Sequence, residues 1–176
     1  ANGNAHTDTT VKKIGTASLQ LDGTGDYLSF PDNSFVWGTG DFTMEAWIKF
    51  DGTPAVFSSF FNGGTGDSVA GAHWILYYYY NPGPGTWWGW SDDGTTSSEW
   101  TSSWTVDYDW HHIAVCRKSG TYRFYFDGAE QVSSTSRGSQ NLSATTDFKL
   151  GSGYGDFSGY MDEVRYSDPC LYLDGT

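Results

Sequence analysis

Apolar and polar positions alternate strictly from Phe42 to Phe50. Phe42, Met44, Ala46, Ile48 and Phe50 fall on one side; Thr43, Glu45, Trp47 and Lys49 fall on the other. A period of two predicts a half-buried strand of an antiparallel sheet. Similar runs predict strands at Ala17 to Leu21, Asp26 to Phe30, Ala55 to Phe61, Ala72 to Tyr80, Trp110 to Arg117, Thr121 to Phe126, Asp147 to Leu150 and Gly159 to Tyr166. Turn residues separate them: Asp22-Gly23-Thr24-Gly25, Pro31-Asp32-Asn33-Ser34, Lys118-Ser119-Gly120 and Asp127-Gly128. Residues 62–68 and 133–146 are polar and read as loops. No segment shows helical periodicity, and no internal repeat is visible. About ten to thirteen short strands predict an all-β sandwich or barrel, and a jelly-roll β-sandwich suits this length.

Composition first threatens this picture and then supports it. Leu, Ile, Val and Phe supply 31 of 176 residues, and the formal net charge is −12. Few aliphatics with high charge usually mark disorder. Yet 9 Trp, 12 Tyr and 11 Phe are present. Each can bury about 150–250 Å², enough for a core that aliphatics do not provide. The length suits one domain. The expected division is an N-terminal segment over 1–14, a domain over 15–168 and a tail over 169–176. The first dozen residues look weakly structured, and the last six look like the start of a linker.

Charge and cysteine content narrow the partners. A pI near 4.3 argues against nucleic acid and anionic membrane surfaces, which need a basic footprint. No run reaches the ~20 apolar residues of a membrane span. Acidic residues suit a divalent cation or a neutral polar ligand. Cys116 and Cys170 are either two buried thiols or one disulfide; they form no zinc pattern. The opening Ala1-Asn2-Gly3 has no leader features, so the chain reads as mature or excised, and export is not legible.

Four blocks carry a resemblance. Gly15-Thr16-Ala17-Ser18-Leu19-Gln20-Leu21-Asp22-Gly23-Thr24-Gly25-Asp26-Tyr27-Leu28 resembles the opening of laminin-G-like domains of the concanavalin A-like lectin/glucanase superfamily. Asp41 to Ile48 is similar to that family's next block. Trp110-His111-His112-Ile113-Ala114-Val115, with Phe124-Tyr125-Phe126-Asp127-Gly128, resembles its central hairpin. Leu150-Gly151 and Gly159 to Ser167 resemble its closing strand. The blocks keep the family's order. The resemblance implies a jelly roll of two curved antiparallel sheets. The ending, Asp162 to Ser167 with Leu171-Tyr172, is similar to modules of phage and marine viral structural proteins, which implies an extracellular or virion-surface setting.

Twelve aromatics crowd residues 74–110. Flat rings stack on the C–H faces of sugars, and nearby Asp, Asn, Ser and Thr can bond hydroxyls. Alternation puts Tyr77 and Tyr79 on one face and Tyr78 and Tyr80 on the other. Trp87 and Trp88 split likewise. The candidates for ligand stacking are Trp87, Trp88, Trp90, Trp100, Trp104, Tyr78 and Tyr80; the competing reading is that these rings fill an aliphatic-poor core.

Calcium takes six to eight oxygens. Resemblance to the pentraxin branch implies a calcium (Ca2+) site at Asn62, Asp67 and Asp156, with Ser152 nearby. A second set is Asp22, Asp26 and Asp162. The competing reading is turn capping by Asp.

Catalysis finds little support. The superfamily's glucanases are implied to use a Glu-x-Asp-x-Glu strand, and the four glutamates Glu45, Glu99, Glu130 and Glu163 form none. His111 and His112 point to opposite faces. The expectation is therefore a non-catalytic, lectin-like module binding carbohydrate or a cell-surface glycan, aided by calcium. The alternative is a structural or protein-interaction module, and a glycoside hydrolase comes third.

Overall fold

A computed structural model describes residues 1–31, 34–35, 38–63, 72–81, 83–93, 97–134, 140–142 and 147–172; at 72–74, 90–93, 97–100 and 133–134 it describes the backbone course alone. Thirteen strands are present among the described residues, and they build two antiparallel sheets.

The seven-stranded sheet runs in the order β1 (His6–Asp8), β2 (Ser18–Asp22), β13 (Ser158–Ser167), β4 (Phe42–Phe50), β9 (His111–Lys118), β10 (Thr121–Phe126), β11 (Ala129–Ser134). The six-stranded sheet runs β3 (Leu28–Phe30), β12 (Phe148–Leu150), β5 (Phe57–Gly63), β6 (Ala72–Tyr79), β7 (Gly85–Asp93), β8 (Ser97–Trp104). Non-consecutive neighbours such as β2 with β13 and β12 with β5 make the crossovers of a jelly roll.

The core lies between the sheets. From the seven-stranded side come Phe42, Met44, Ala46, Ile48 and Phe50, with Ile113, Val115, Phe124 and Met161. Phe60, Leu76, Tyr78, Trp87, Phe148, Leu150 and Phe157 face them. Aromatic rings do much of the filling. Phe50, Phe60 and Phe157 meet at centroid distances of 4.8–5.9 Å. At one end Arg117 is fully buried. Its guanidinium donates to the carbonyls of Gly38, Gly40 and Gln140 at 2.7–2.8 Å. Burying that charge without such partners would be costly.

Three strands escape the sequence pattern. β7 has Trp on both faces and Gly between, so it shows no polar side. β8 is mostly Ser and Thr. β11 begins four residues before the loop expected over 133–146, and its last two residues lie within that stretch. The two hairpin turns behave as expected: Ser119-Gly120 and Asp127-Gly128 all have positive φ, the paired left-handed conformation that matches strand twist.

The opening of the chain corrects the sequence reading, while residues 173–176 of the expected linker lie outside the described residues. The opening residues are ordered into the sheet: His6, Thr7 and Asp8 pair with Gln20, Leu19 and Ser18. At the other end, Leu171 N–H donates to Thr43 Oγ1 at 2.9 Å, and Tyr172 stacks on Tyr125 at 4.6 Å. The segment Asp168 to Tyr172 is a strap over β4, and it explains why Thr43 and Glu45, on the polar side of that strand, are buried.

Candidate functional site

Each sheet has a face turned away from the core, and each carries candidate chemistry. On the six-stranded sheet, register places Ser59, Tyr77, Trp88 and Thr101 in one row, and Phe57, Tyr79, Thr86 and Ser103 in the next. Alternation gives both rows the same face. Tyr77 and Trp88 lie parallel, 8° between planes and 6.2 Å between centroids. Phe57 lies 5.9 Å from Tyr77 and 5.2 Å from Tyr79, and is 37% exposed. Tyr154 reaches the same cluster from the loop after β12, 5.1 Å from Tyr77 and 6.1 Å from Phe57.

Two glycines permit this loop. A Cβ on Gly153 would meet Ile75 and Ser59, and one on Gly155 would strike the Phe57 carbonyl at 2.4 Å. The stretch Ser152-Gly153-Tyr154-Gly155 therefore lies against the sheet and contributes a ring. Among the described residues the indole N–H of Trp88 has no hydrogen-bond partner. Neither amide atom of Asn62, a buried residue whose neighbours in the ladder are Lys149 and Ile75, has one either.

This arrangement corrects several expected site residues. Trp87 is 1% exposed and packs on Phe60, Tyr78, Trp104 and Phe124. Tyr78 is fully buried, and its hydroxyl donates to the Trp104 carbonyl at 2.7 Å through space left by Gly85. Tyr80 and Trp104 are half-buried and pack against the same core. Trp87 and Tyr78 have no face to offer a sugar, and Tyr80 and Trp104 turn part of theirs to the core. The alternation is right, but it does not say which face is outer; Tyr77 and Tyr79 lie on the outer face, where Tyr79 is half-buried and Tyr77 is 9% exposed. Trp88 is on the outer face. The side chains of Trp90 and Trp100 lie outside what is described.

Calcium ligands do not assemble from the described residues. Asp156 accepts from Gly25 N–H at 2.8 Å, Asn62 sits mid-sheet, and Asp67 lies outside the described residues. In the second set, Asp26 accepts from the Asn4 and Asp22 amides and Asp22 from Thr24, which is turn capping. Asp162 is engaged elsewhere, with the Lys13 and Ile14 amides. No group of three His, Cys, Asp or Glu able to hold a metal gathers among the described residues.

The outer face of the seven-stranded sheet is charged. Glu45, its side chain 4% exposed, is bonded through one oxygen by Arg165 and through the other by the Tyr172 hydroxyl at 2.5 Å, with His112 Nε2 at 3.5 Å. A register shift between Asp162 and Arg165 makes this possible. Glu163, at φ 49°, takes up the extra residue, so Asp162 and Arg165 share a face that simple alternation would deny them. Trp47 meets His112 edge-on at 5.3 Å, and Lys13 Nζ lies 4.1 Å from the Trp47 ring centre. Lys13, Glu45, Trp47, Trp110, His112, Asp127, Arg165 and Tyr172 line a cavity of about 580 Å³.

The adjacent histidines titrate in opposite directions. Burial depresses His112, and the charges of Glu45 and Asp127 do not fully offset it. Burial acts on His111 too, but hydrogen bonds to Asp127 at 2.7 Å and Asp107 at 2.8 Å raise it overall. Sequence reasoning placed Glu45 beside Trp47 but missed Arg165, Tyr172 and Lys13. The bulge and the two terminal segments bring these in, and neither leaves a local signal.

Residues 22–173 match the family described as the concanavalin A-like lectin/glucanases superfamily. No curated protein matches. Among solved structures, the tailspike protein 2 enzymatically active domain of bacteriophage CBA120 aligns with TM-score 0.73 at 18% identity, covering 93% of this chain and 27% of that one. Domain 4 of a GH43 extracellular arabinanase from Geobacillus stearothermophilus, in complex with arabinotriose, aligns with TM-score 0.69 at 20% identity, covering 93% and 75%. The CBM40 of a Ruminococcus gnavus sialidase aligns with TM-score 0.67 at 13% identity, covering 88% and 91%. The chain thus spans about a quarter of the tailspike's length. At these identities the likeness is one of fold.

Proposed function

The chain belongs to the concanavalin A-like lectin/glucanases superfamily, and from that premise we propose that it is a non-catalytic carbohydrate-binding module. It holds a glycan on the outer aromatic face of the six-stranded sheet and serves attachment outside the cell or on a virion. The observation that carries this is the parallel Tyr77–Trp88 pair flanked by Tyr79, Phe57 and Tyr154 on one face. A row of rings set in a rigid sheet suits the apolar side of successive sugar units. The neighbours crystallised with arabinotriose and with sialyllactose support the substrate class. The non-catalytic part rests on Glu45. Among the described residues it is the buried glutamate, and Arg165 and Tyr172 engage its two oxygens. A general acid needs a carboxyl free to meet substrate.

A second reading has its own observation: the 580 Å³ cavity on the opposite face holds Trp47 and Trp110 beside charged groups. Retention on a glycan array separates the two. Trp88→Ala is expected to cost at least about thirtyfold in affinity, the scale of an interface hot spot, while Trp47→Ala binds as the parent does. The reverse result moves the site to the cavity. If the parent chain binds no glycan, the lectin reading fails and a structural or protein-interaction module takes its place.

A further inference from the structure

The strap Asp168 to Tyr172 lays one cysteine against another. Cys116, on β9, is fully buried; Cys170, on the strap, is half-buried. Both belong to one small cluster with Ala114, Tyr125 and Tyr172. Cys170 packs directly onto the buried part of that cluster, and the two thiols influence each other electrostatically. The Cys170 sulfur donates onward to the Tyr172 carbonyl at 3.3 Å. The strap is anchored just beyond Cys170 by the Leu171–Thr43 bond and by Tyr172 on Tyr125 and Glu45.

We propose that Cys116 and Cys170 close into a disulfide when the protein meets an oxidising medium, and that this bond fastens the C-terminal strap to the seven-stranded sheet. The reaction needs an acceptor for two electrons, and a small disulfide such as glutathione disulfide supplies it. One thiolate attacks that disulfide and releases one small thiol. The second cysteine then displaces the other, so that one S–S bond breaks, one forms, and the two cysteine protons end on the two small thiols released. Burial, and then the Cys170 neighbour, push the Cys116 thiol well up. The first attack therefore falls to the more exposed Cys170, and Cys116 resolves the mixed disulfide slowly.

The bond would close a loop of roughly fifty residues. It would also hold Tyr172 at the edge of the Glu45 cavity, fixing one wall of that cavity. An extracellular setting is where such a bond persists.

The experiment uses the 176-residue chain equilibrated with a glutathione disulfide buffer and compared with the same chain in dithiothreitol. The expected result is an intact mass lower by two hydrogens. A non-reducing peptide map should recover Cys116 and Cys170 in one species. The melting midpoint should rise by roughly 5–10 °C. Cys170→Ser should fold like the reduced chain and show neither the mass change nor the rise. Two thiols still titratable after equilibration and unfolding would overturn the proposal. So would Cys170 recovered solely as a glutathione adduct.

Discussion

The two outer faces of this sandwich solve the same problem differently. Both turn a strand's second side away from the core, and both are partly roofed by chain from elsewhere. On the six-stranded sheet the roof is the Gly153–Gly155 loop, which comes close enough to exclude any side chain at those glycines and adds Tyr154 to a set of rings. On the seven-stranded sheet the roof is the C-terminal strap, which adds Tyr172 to a set of charges around Glu45. One roof extends an apolar surface; the other satisfies a buried ion. Phe57, 37% exposed, and the half-buried Tyr79, Trp88 and Tyr154 keep ring surface that a ligand can reach. A carboxylate already bonded by Arg165 and Tyr172 is committed to structure. The aromatic face is the proposed binding surface for that reason, although an open cavity of about 580 Å³ lies on the other side.

Two adjacent residues set the inner and outer faces apart most sharply. Trp87 faces inward and Trp88 outward on the same strand. Trp87→Ala should cost about 3–5 kcal/mol of stability, because a fully buried indole leaves a cavity among packed rings. Trp88→Ala should cost well under half of that and show its effect in glycan retention instead. Urea denaturation of both variants measures the difference. Equal losses would mean that the outer row of rings is core under another name.

A smaller effect tests the charged face. Arg165→Ala leaves the Glu45 carboxylate, 4% exposed, without its cation. Breaking a fully buried pair costs about 3–5 kcal/mol. Arg165 itself is 61% exposed, so solvent screens the interaction and about 1–2 kcal/mol is expected here. The Tyr172 hydroxyl and His112 still serve the carboxylate. A loss too small to measure would show that water replaces the guanidinium, and the face would then be less committed than the geometry indicates.

How far these features were legible follows from what each depends on. The β4 strand and the turns at Ser119-Gly120 and Asp127-Gly128 depend on neighbours in sequence, and they read directly. The Tyr77 to Tyr80 run gave the right division into pairs, because alternation is local. It put Tyr78 among the candidates for stacking although that ring is fully buried, because inward and outward are set by the opposite sheet. Gly85 was a usable signal, since its missing side chain is what admits the Tyr78 hydroxyl. The Glu45 cluster was not legible. Arg165 reaches it through a one-residue bulge, and Lys13 and Tyr172 reach it from segments at the two ends of the chain. The aromatics of β7 also hid their own strand, because rings on both faces erase the polar half of the pattern.

The smallest expected effect is the dependence on pH, and it again sets two adjacent residues apart. His111 is raised in the fold, with the pull of Asp127 and Asp107 overcoming burial. Its contribution is fully present below the unfolded value near 6.5 and is lost as pH rises through the higher folded value. His112 is depressed by burial. The unfolded chain then takes up a proton that the fold resists, so a penalty appears as pH falls below about 6.5. In the parent these opposed slopes partly cancel. His111→Gln should therefore destabilise more at pH 5 than at pH 8. His112→Gln should instead make the protein relatively more acid-tolerant than the parent. Chemical denaturation at the two pH values reads both slopes. Slopes of the same sign would mean that Asp127, which accepts from the His112 amide through one oxygen and contacts the His111 ring through the other, does not separate the two environments.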